Sequence, residues 1–271
     1  MPISNEEERF TTRVSSLGYA APLLQNREIF MLNFSNDFRR FEVLLNNLRL
    51  TSLRIARERD KNWASHVGLL LPLQILIRHC LLGFQQLISY QSFLAWLVFR
   101  PGLEAFLVMG KWLDDPANAT IWKERDLDPQ LYRRTFSGRA LASNSIPRSD
   151  DFRSALSRLN DQFVHPNPNF AYRETNLHAA STETLVAEIR FFDTQADIHE
   201  GHLLAYLRLM ELIVDTLRNL FTELLGPQEN GPIAVSPRSF EEEEGKRARS
   251  LGQRDSTAKK IMEELGLWPL Q

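Results

Sequence analysis

The sequence predicts an all-α protein, a multi-helix bundle with room for one small β-hairpin at about residues 170–192 and a C-terminal helical tail. Apolar side chains recur every three or four residues over most of the chain, and Asp-Pro and Gly-Pro pairs separate the periodic segments. The 271 residues are 43% hydrophobic and 24% charged, which suits one large domain or two small ones. A formal net charge of -2 excludes a global field that would attract nucleic acid or an anionic membrane.

The N-terminal elements follow from capping and periodicity. Ser4 and Glu7 form a capping-box pattern, so a short helix is expected there, with Gly18 as its stop. Between residues 34 and 55 the apolar positions alternate at spacings of four and three, which marks one face of a long helix. We divide the chain into an N-terminal arm with a short helix (1–30), a helical bundle domain (31–226), and a linker plus charged, amphipathic helical tail (227–271).

Strongly hydrophobic helices are expected next. Residues 80–99 carry no formal charge over a length that could cross a bilayer. The same segment contains side-chain amides, among them Gln85 and Gln86, which are costly in hydrocarbon without partners. We therefore interpret it as core helices of a soluble bundle and predict no membrane span. Pro72 is expected to open or kink the first helix, and Pro101 to bend the second.

The second half of the chain alternates helices with proline-marked turns. Asp115 and Asp128 each precede a proline, which predicts a carboxylate cap followed by proline in the first helical turn. Segments rich in β-formers occur once, after the His-Pro turn. Helices are expected, in order, at 116–124, 129–136, 149–164 and 203–224, and the hairpin would pair 170–176 with 184–192.

Few residue patterns point to chemistry. The sequence contains no phosphate loop, dinucleotide fingerprint, zinc-protease helix, CxxC pair or GxSxG elbow. Cys80, the only cysteine, lies in an apolar run, which favours a buried, unreactive thiol and a reducing compartment. The acidic N-terminus has no apolar leader, so a cytoplasmic location is expected.

His199 and His202 could share a metal, but they supply only two ligands. Surface histidines are the favoured interpretation, and no metal or other cofactor is predicted.

Arg100 and Glu104 stand on one side of a helix otherwise built from leucine, phenylalanine, valine and tryptophan. Because a lone charge is costly in an apolar segment, each is expected to have a partner. One interpretation is a mutual i,i+4 ion pair, and the other is a paired polar anchor that lines a cleft. The structural interpretation is favoured.

The helix expected over residues 149–164 carries the more informative polar group. At about 100° per residue its phenylalanines and leucines form one narrow stripe, with Arg158, Asp161 and His165 on roughly the opposite side. An arginine and a histidine on one face can bind a phosphodiester, the histidine moving a proton and the arginine stabilising the phosphorane charge. The alternative is a solvated polar side with a histidine that caps the helix C-terminus.

A local basic segment lies just upstream. Residues 130–149 contain no acidic side chain, and their arginines could meet the phosphate backbone of RNA. The arginines concerned are Arg133, Arg134, Arg139 and Arg148.

Two stretches carry a family resemblance, LVFRPGLEAFLVMGKWLDDPANATIWKER and RLNDQFVHPNPNF. They resemble a group of uncharacterised bacterial helical-domain proteins with an Arg-x-x-x-Glu helix, an acidic-proline turn followed by a tryptophan, and a later helix ending in His-Pro. That group is distantly similar to the HEPN (higher eukaryotes and prokaryotes nucleotide-binding) superfamily. Active members of this superfamily are dimeric, metal-independent endoribonucleases of toxin–antitoxin and phage-defence systems. The resemblance covers about residues 60–220.

The superfamily motif is an arginine, usually followed by a polar residue, and then a histidine a few positions later. Arg158 and His165 match the outer spacing, whereas Leu159 stands at the polar position and Pro166 breaks the helix at the histidine. The resemblance implies that Arg158 and His165 are catalytic, with Arg100, Glu104 and Asp161 in support, and that the protein is a homodimer. The second function class left open is a non-catalytic helical interaction or dimerisation protein that binds its partner through the tail.

Overall fold

The computed structural model describes residues 16–57, 68–164, 175–179, 185–189, 192–193, 196–225 and 263. Within these ranges the chain is an all-α bundle with one two-stranded hairpin, as predicted. The helices are α1 (Ser16–Asn33), α2 (Ser35–Arg57), α3 (Leu70–Ile88), α4 (Ser92–Asp114), α5 (Ala117–Lys123), α6 (Pro129–Phe136), α7 (Ser149–Leu159) and α8 (Ala196–Leu225). A 3-10 turn (Gly138–Leu141) precedes α7, and a π-helical segment (Asn160–Val164) follows it.

The hairpin lies between the π-helical segment and α8. Strand β1 (Thr175–Ala179) pairs antiparallel with β2 (Leu185–Ile189), with Leu177 opposite Ala187. The hairpin lies within the predicted region 170–192 and β2 lies within the predicted second strand, but β1 begins five residues later than the predicted first strand, 170–176.

Helices α3 and α4 form the centre of the bundle and pack against each other along their length. Leu76 of α3 and Trp96, Leu103 and Phe106 of α4 are completely buried. Helix α4 is long and apolar enough to cross a membrane by length and composition, but 61% of its apolar window is buried inside the bundle. Burial of this kind is also found in the core helices of soluble proteins.

Polar contacts join α2 to the last helix. Arg40 is buried and forms an ion pair with Glu211, to which its Nε also donates a hydrogen bond of 2.6 Å. Near the other end of α2, Arg54 donates to the main-chain oxygen of Leu225 at 2.9 Å. The partners of each contact are 171 residues apart, so these bonds close the bundle across most of the described chain.

The start predicted for α6 is confirmed, whereas α5 begins one residue later than predicted, at Ala117, with Pro116 before its first residue and Asp115 accepting from the Ala117 amide at 2.9 Å. The Asp128 carboxylate accepts a hydrogen bond from the Leu131 amide at 2.9 Å, with Pro129 at the first position of α6. Pro72 lies in the first turn of α3, and Pro101 lies inside α4, which continues without a break from Ser92 to Asp114.

The expectation that a helix ends at Gly18 is wrong, because α1 begins at Ser16 and runs through that glycine. An interior glycine costs a helix only about 1 kcal/mol, so favourable packing further along can override it. Phe30 of α1 supplies such packing, because it is completely buried in the same core as α2 and α3. Ser4 and Glu7 lie outside the described residues.

Candidate functional site

Helix α7 turns its predicted apolar stripe towards α4. Phe152, Leu156, Leu159 and Phe163 are all buried, which confirms the inner face expected from the sequence. The ring of Phe152 meets that of Phe106 edge to face, with centroids 4.9 Å apart. The polar side therefore faces outwards, with Asp161 exposed and Arg158 half-buried.

The helix expected over 149–164 is α-helical only to Leu159, and from Asn160 to Val164 it is π-helical. A π turn closes hydrogen bonds from i to i+5 and holds one more residue than an α turn. The count of about 100° per residue therefore does not extend from Arg158 to His165, and the prediction of one shared α-helical face needs this correction. His165 itself lies outside the described residues, as do positions 166–174.

Arg100 and Glu104 form the expected ion pair on α4. Nη1 of Arg100 lies 3.3 Å from Oε2 of Glu104, and each side chain is 30% exposed. The Nε of Arg100 also donates a hydrogen bond to Oδ1 of Asn160, the first residue of the π-helical segment. We call Arg100, Glu104 and Asn160 the α4–π cluster.

Tyr132 of α6 is half-buried and feels the charges of the α4–π cluster. Burial raises the pKa of its hydroxyl above the ordinary value, and the Glu104 carboxylate raises it further, while Arg125 and Arg100 act in the opposite direction. The hydroxyl is therefore protonated at neutral pH and able to donate a hydrogen bond.

The basic side chains after Tyr132 differ in how they are paired. Arg133, Arg134 and Arg139 are exposed and have no carboxylate partner among the residues that the structure describes. Arg148 is exposed too, but its Nε lies 2.7 Å from Oδ2 of Asp151. Three of the four predicted RNA-contacting arginines thus present charge to solvent without a carboxylate partner in the described part of the chain.

Arg158 contacts the C-terminal tail. Its Nη1 donates a hydrogen bond of 3.1 Å to the main-chain oxygen of Glu263, the one tail residue that the structure describes. The structure therefore brings Arg100 and Glu104 together with Asn160, whereas Arg158 reaches the tail and Asp161 lies exposed on the π-helical segment.

His199 is completely buried, so the expectation that it is a surface residue is wrong. Its Nδ1 donates to Oδ2 of Asp193 at 2.9 Å and lies 3.3 Å from Oγ of Ser92, while its ring stacks on Tyr90 at a centroid distance of 4.1 Å. Its Nε2 is buried without a hydrogen-bond partner in the described structure. This imidazole is a part of the core.

Asp193 organises the polar residues around His199. Its Oδ2 accepts from the amide of Ser92 at 3.1 Å and from the Ser92 hydroxyl at 2.5 Å, in addition to His199. Ser92 is the first residue of α4, so the carboxylate caps this helix and lies at the positive end of its dipole. Asp193, Ser92 and His199, which we call the Asp193 cluster, fix the entry into α8 against the start of α4.

His202 is buried as well, with 5% exposure, and its Nδ1 accepts a hydrogen bond of 2.9 Å from the indole of Trp96. The weak alternative of a metal shared by His199 and His202 finds no third ligand, since the described residues contain no group of three metal-binding side chains.

Cys80 is completely buried, as expected, and burial raises the pKa of its thiol far above the ordinary value. The thiol therefore stays protonated, and a protonated, buried thiol is not a nucleophile.

Sequence reasoning missed Asn160 and the Asp193 cluster. A weak signal existed for Asn160, because at four positions after Leu156 it lies at the edge of the apolar stripe rather than on the solvated side. No local signal existed for Asp193, because its contact Ser92 is 101 residues away along the chain.

Together the fold and these contacts define an all-α helical bundle with a half-buried polar cluster where a central helix meets a π-helical segment. Comparison with protein-family models, with curated proteins and with solved structures gives no significant match to this chain.

Proposed function

We propose that this chain is a HEPN-like, metal-independent endoribonuclease of a toxin or phage-defence type. The observation that carries the proposal is the π-helical segment Asn160–Val164, which follows Arg158 closely along the chain, is hydrogen-bonded to Arg100 and is followed in sequence by His165. Arg158 precedes the segment by two residues, and Arg100 is hydrogen-bonded to its first residue. π-helical turns are frequent at functional sites, and guanidinium groups match the geometry of phosphate oxygens.

In the proposed reaction the 2′-hydroxyl of RNA attacks the neighbouring phosphorus. The bond between phosphorus and the 2′-oxygen forms while the bond to the 5′-oxygen breaks, which leaves a 2′,3′-cyclic phosphate and a 5′-hydroxyl. The 2′-hydroxyl loses its proton and the leaving 5′-oxygen gains one; His165 carries out one of these two transfers and water the other, while the arginines stabilise the charge of the phosphorane. The exposed arginines of α6 and the following turn, which have no carboxylate partner in the described part of the chain, would contact the phosphate backbone of the RNA.

The test is RNA cleavage by purified protein in the presence of a chelator. Arg158→Ala and His165→Ala should each reduce cleavage by about 10²-fold or more, and the double variant should lose little further, because the two groups act as one unit. Arg153→Ala is the matched control, since Arg153 lies on the same helix and pairs with Asp150 at 3.2 Å. Melting temperatures near that of the wild type keep the effect separate from stability. Absence of cleavage across structured and single-stranded RNAs would refute the enzyme.

One observation favours a second candidate, a non-catalytic helical interaction or dimerisation protein. The hydrogen bond from Arg158 to the Glu263 main chain gives this arginine a structural task in holding the tail. Under this alternative the wild type cleaves no RNA, deletion of residues 239–271 abolishes association, and His165→Ala changes little. Sedimentation or light scattering of the truncated and full-length chains measures that outcome.

A further inference from the structure

Asn160 joins the ion pair of α4 to the segment that leads to His165. Its Oδ1 accepts a hydrogen bond from Nε of Arg100, while Glu104 holds Nη1 of the same guanidinium at 3.3 Å. The guanidinium is thus fixed from two directions, by one acceptor on its own helix and one on the π-helical segment. At 30% exposure it is neither in the core nor freely rotating in solvent.

The contacts with Asn160 and Glu104 leave most N–H donors of the Arg100 guanidinium available for other hydrogen bonds. An arginine carries five N–H donors, and the contacts with Asn160 and Glu104 use two of them. The remaining donors meet no acceptor among the residues that the structure describes. Donors held in a fixed orientation, partly out of water, stabilise a developing negative charge better than donors on a mobile side chain.

We infer that Asn160 is a positioning residue, which orients Arg100 so that its remaining N–H groups bind a non-bridging oxygen of the RNA phosphate next to the π-helical segment. This inference rests on the proposed ribonuclease function. Arg100 touches the substrate, and Asn160 acts through Arg100. Leu159, the residue directly after Arg158, cannot orient Arg100, because it is buried and its side chain has no hydrogen-bond acceptor. Asn160, the next residue, has such an acceptor.

The test compares Asn160→Ala, Arg100→Ala and the double variant in the RNA cleavage assay. We expect Asn160→Ala to lower kcat by about 10-fold to 100-fold, the scale of a misplaced catalytic contact, with KM changed less than about 2-fold. The double variant should cleave no more slowly than Arg100→Ala alone, because Asn160 has nothing left to orient. Asn144→Ala is the matched control, since Asn144 is exposed and its main-chain amide, not its side chain, makes the contact with Asp114.

Asn160→Asp keeps the test decisive if Asn160→Ala does not fold. Aspartate is isosteric and keeps an Oδ1 acceptor for Nε of Arg100, so kcat within about 3-fold of the wild type is expected, and a loss as large as the one expected for alanine would overturn the positioning role. A wild-type rate for Asn160→Ala, or losses that multiply in the double variant, would overturn the inference and leave the ribonuclease standing. A wild type that cleaves no RNA would overturn the proposed function itself, so the two failures are distinguishable.

Discussion

Replacement of Asp193 by alanine should destabilise the fold by more than an average substitution. Oδ2 of Asp193 accepts from the Ser92 amide at 3.1 Å, from the Ser92 hydroxyl at 2.5 Å and from His199 Nδ1 at 2.9 Å. Ser92 and His199 are at most 1% exposed, so the variant takes the acceptor away from three buried donors, of which only the Ser92 hydroxyl and His199 Nδ1, 3.3 Å apart, can still pair with each other. Each such group costs about 1–3 kcal/mol, and entry of water into the vacated space offsets a part. We expect a loss of about 3–5 kcal/mol, as for other broken buried pairs.

The same carboxylate gives the stability a pH dependence of defined sign. Burial alone would raise the pKa of Asp193, but the hydrogen bond from His199, the charges of His199 and His202, and the hydrogen bond from Ser92 together lower it below the ordinary value. A carboxyl group whose pKa is lower in the folded state stabilises the fold above its unfolded pKa, and this contribution is lost as the pH falls towards the folded pKa. The wild type should therefore lose stability from this group below about pH 4, whereas Asp193→Asn should not.

Urea unfolding followed by circular dichroism measures both effects, at neutral pH for the alanine variant and across the acid range for the asparagine variant. Asp150→Ala is the control, because the Asp150 side chain is 80% exposed and its removal should cost less than about 0.5 kcal/mol. An alanine variant within about 1 kcal/mol of the wild type would refute the reasoning, since loss of the acceptor shared by these buried donors is expected to cost more than this. Equal acid slopes for the wild type and Asp193→Asn would refute the pH argument.

Two further predictions concern packing and association. Gly110→Ala should destabilise the fold by about 1–3 kcal/mol in urea unfolding, because the added Cβ would lie 2.7 Å from the Ser143 hydroxyl and collide with Ile146; a neutral variant would contradict this packing. The chain should be a dimer with twofold symmetry, and deletion of residues 239–271 should release the monomer. Light scattering at micromolar concentration that gives a monomer mass for both chains would contradict the dimer.

Much of the fold follows from local patterns. The four-three spacing from Phe34 to Ile55 predicts α2, and the regular ladder from Leu203 to Leu224 predicts the body of α8. The Asp128-Pro129 pair predicts the start of α6, because an N-cap and the proline after it need only neighbouring residues. Such elements are predictable because the residues that decide them are a few positions apart.

The buried histidines show where prediction from local sequence ends. His199 and His202 lie beside acidic neighbours at the start of a helix, a pattern typical of the surface. Their burial depends on Ser92 and Trp96, which are 107 and 106 residues away along the chain. The π-helical turn is a similar case, because no local residue pattern predicts it and the link from Arg100 to Asn160 spans 60 residues. Long-range partners of this kind decide the polar sites of the bundle, whereas the periodicity decides only its helices.

The contact between Arg40 and Glu211 also bears on the synthesis of the chain. The two residues are 171 positions apart, and ribosomes elongate by about 5–20 residues per second, so Glu211 is made about 9–34 s after Arg40. Helix α3 follows soon after α2 and can cover one side of it, but the side that α8 covers stays open during this interval. The nascent chain therefore presents α2 as an amphipathic helix to any chaperone near the exit tunnel until α8 emerges.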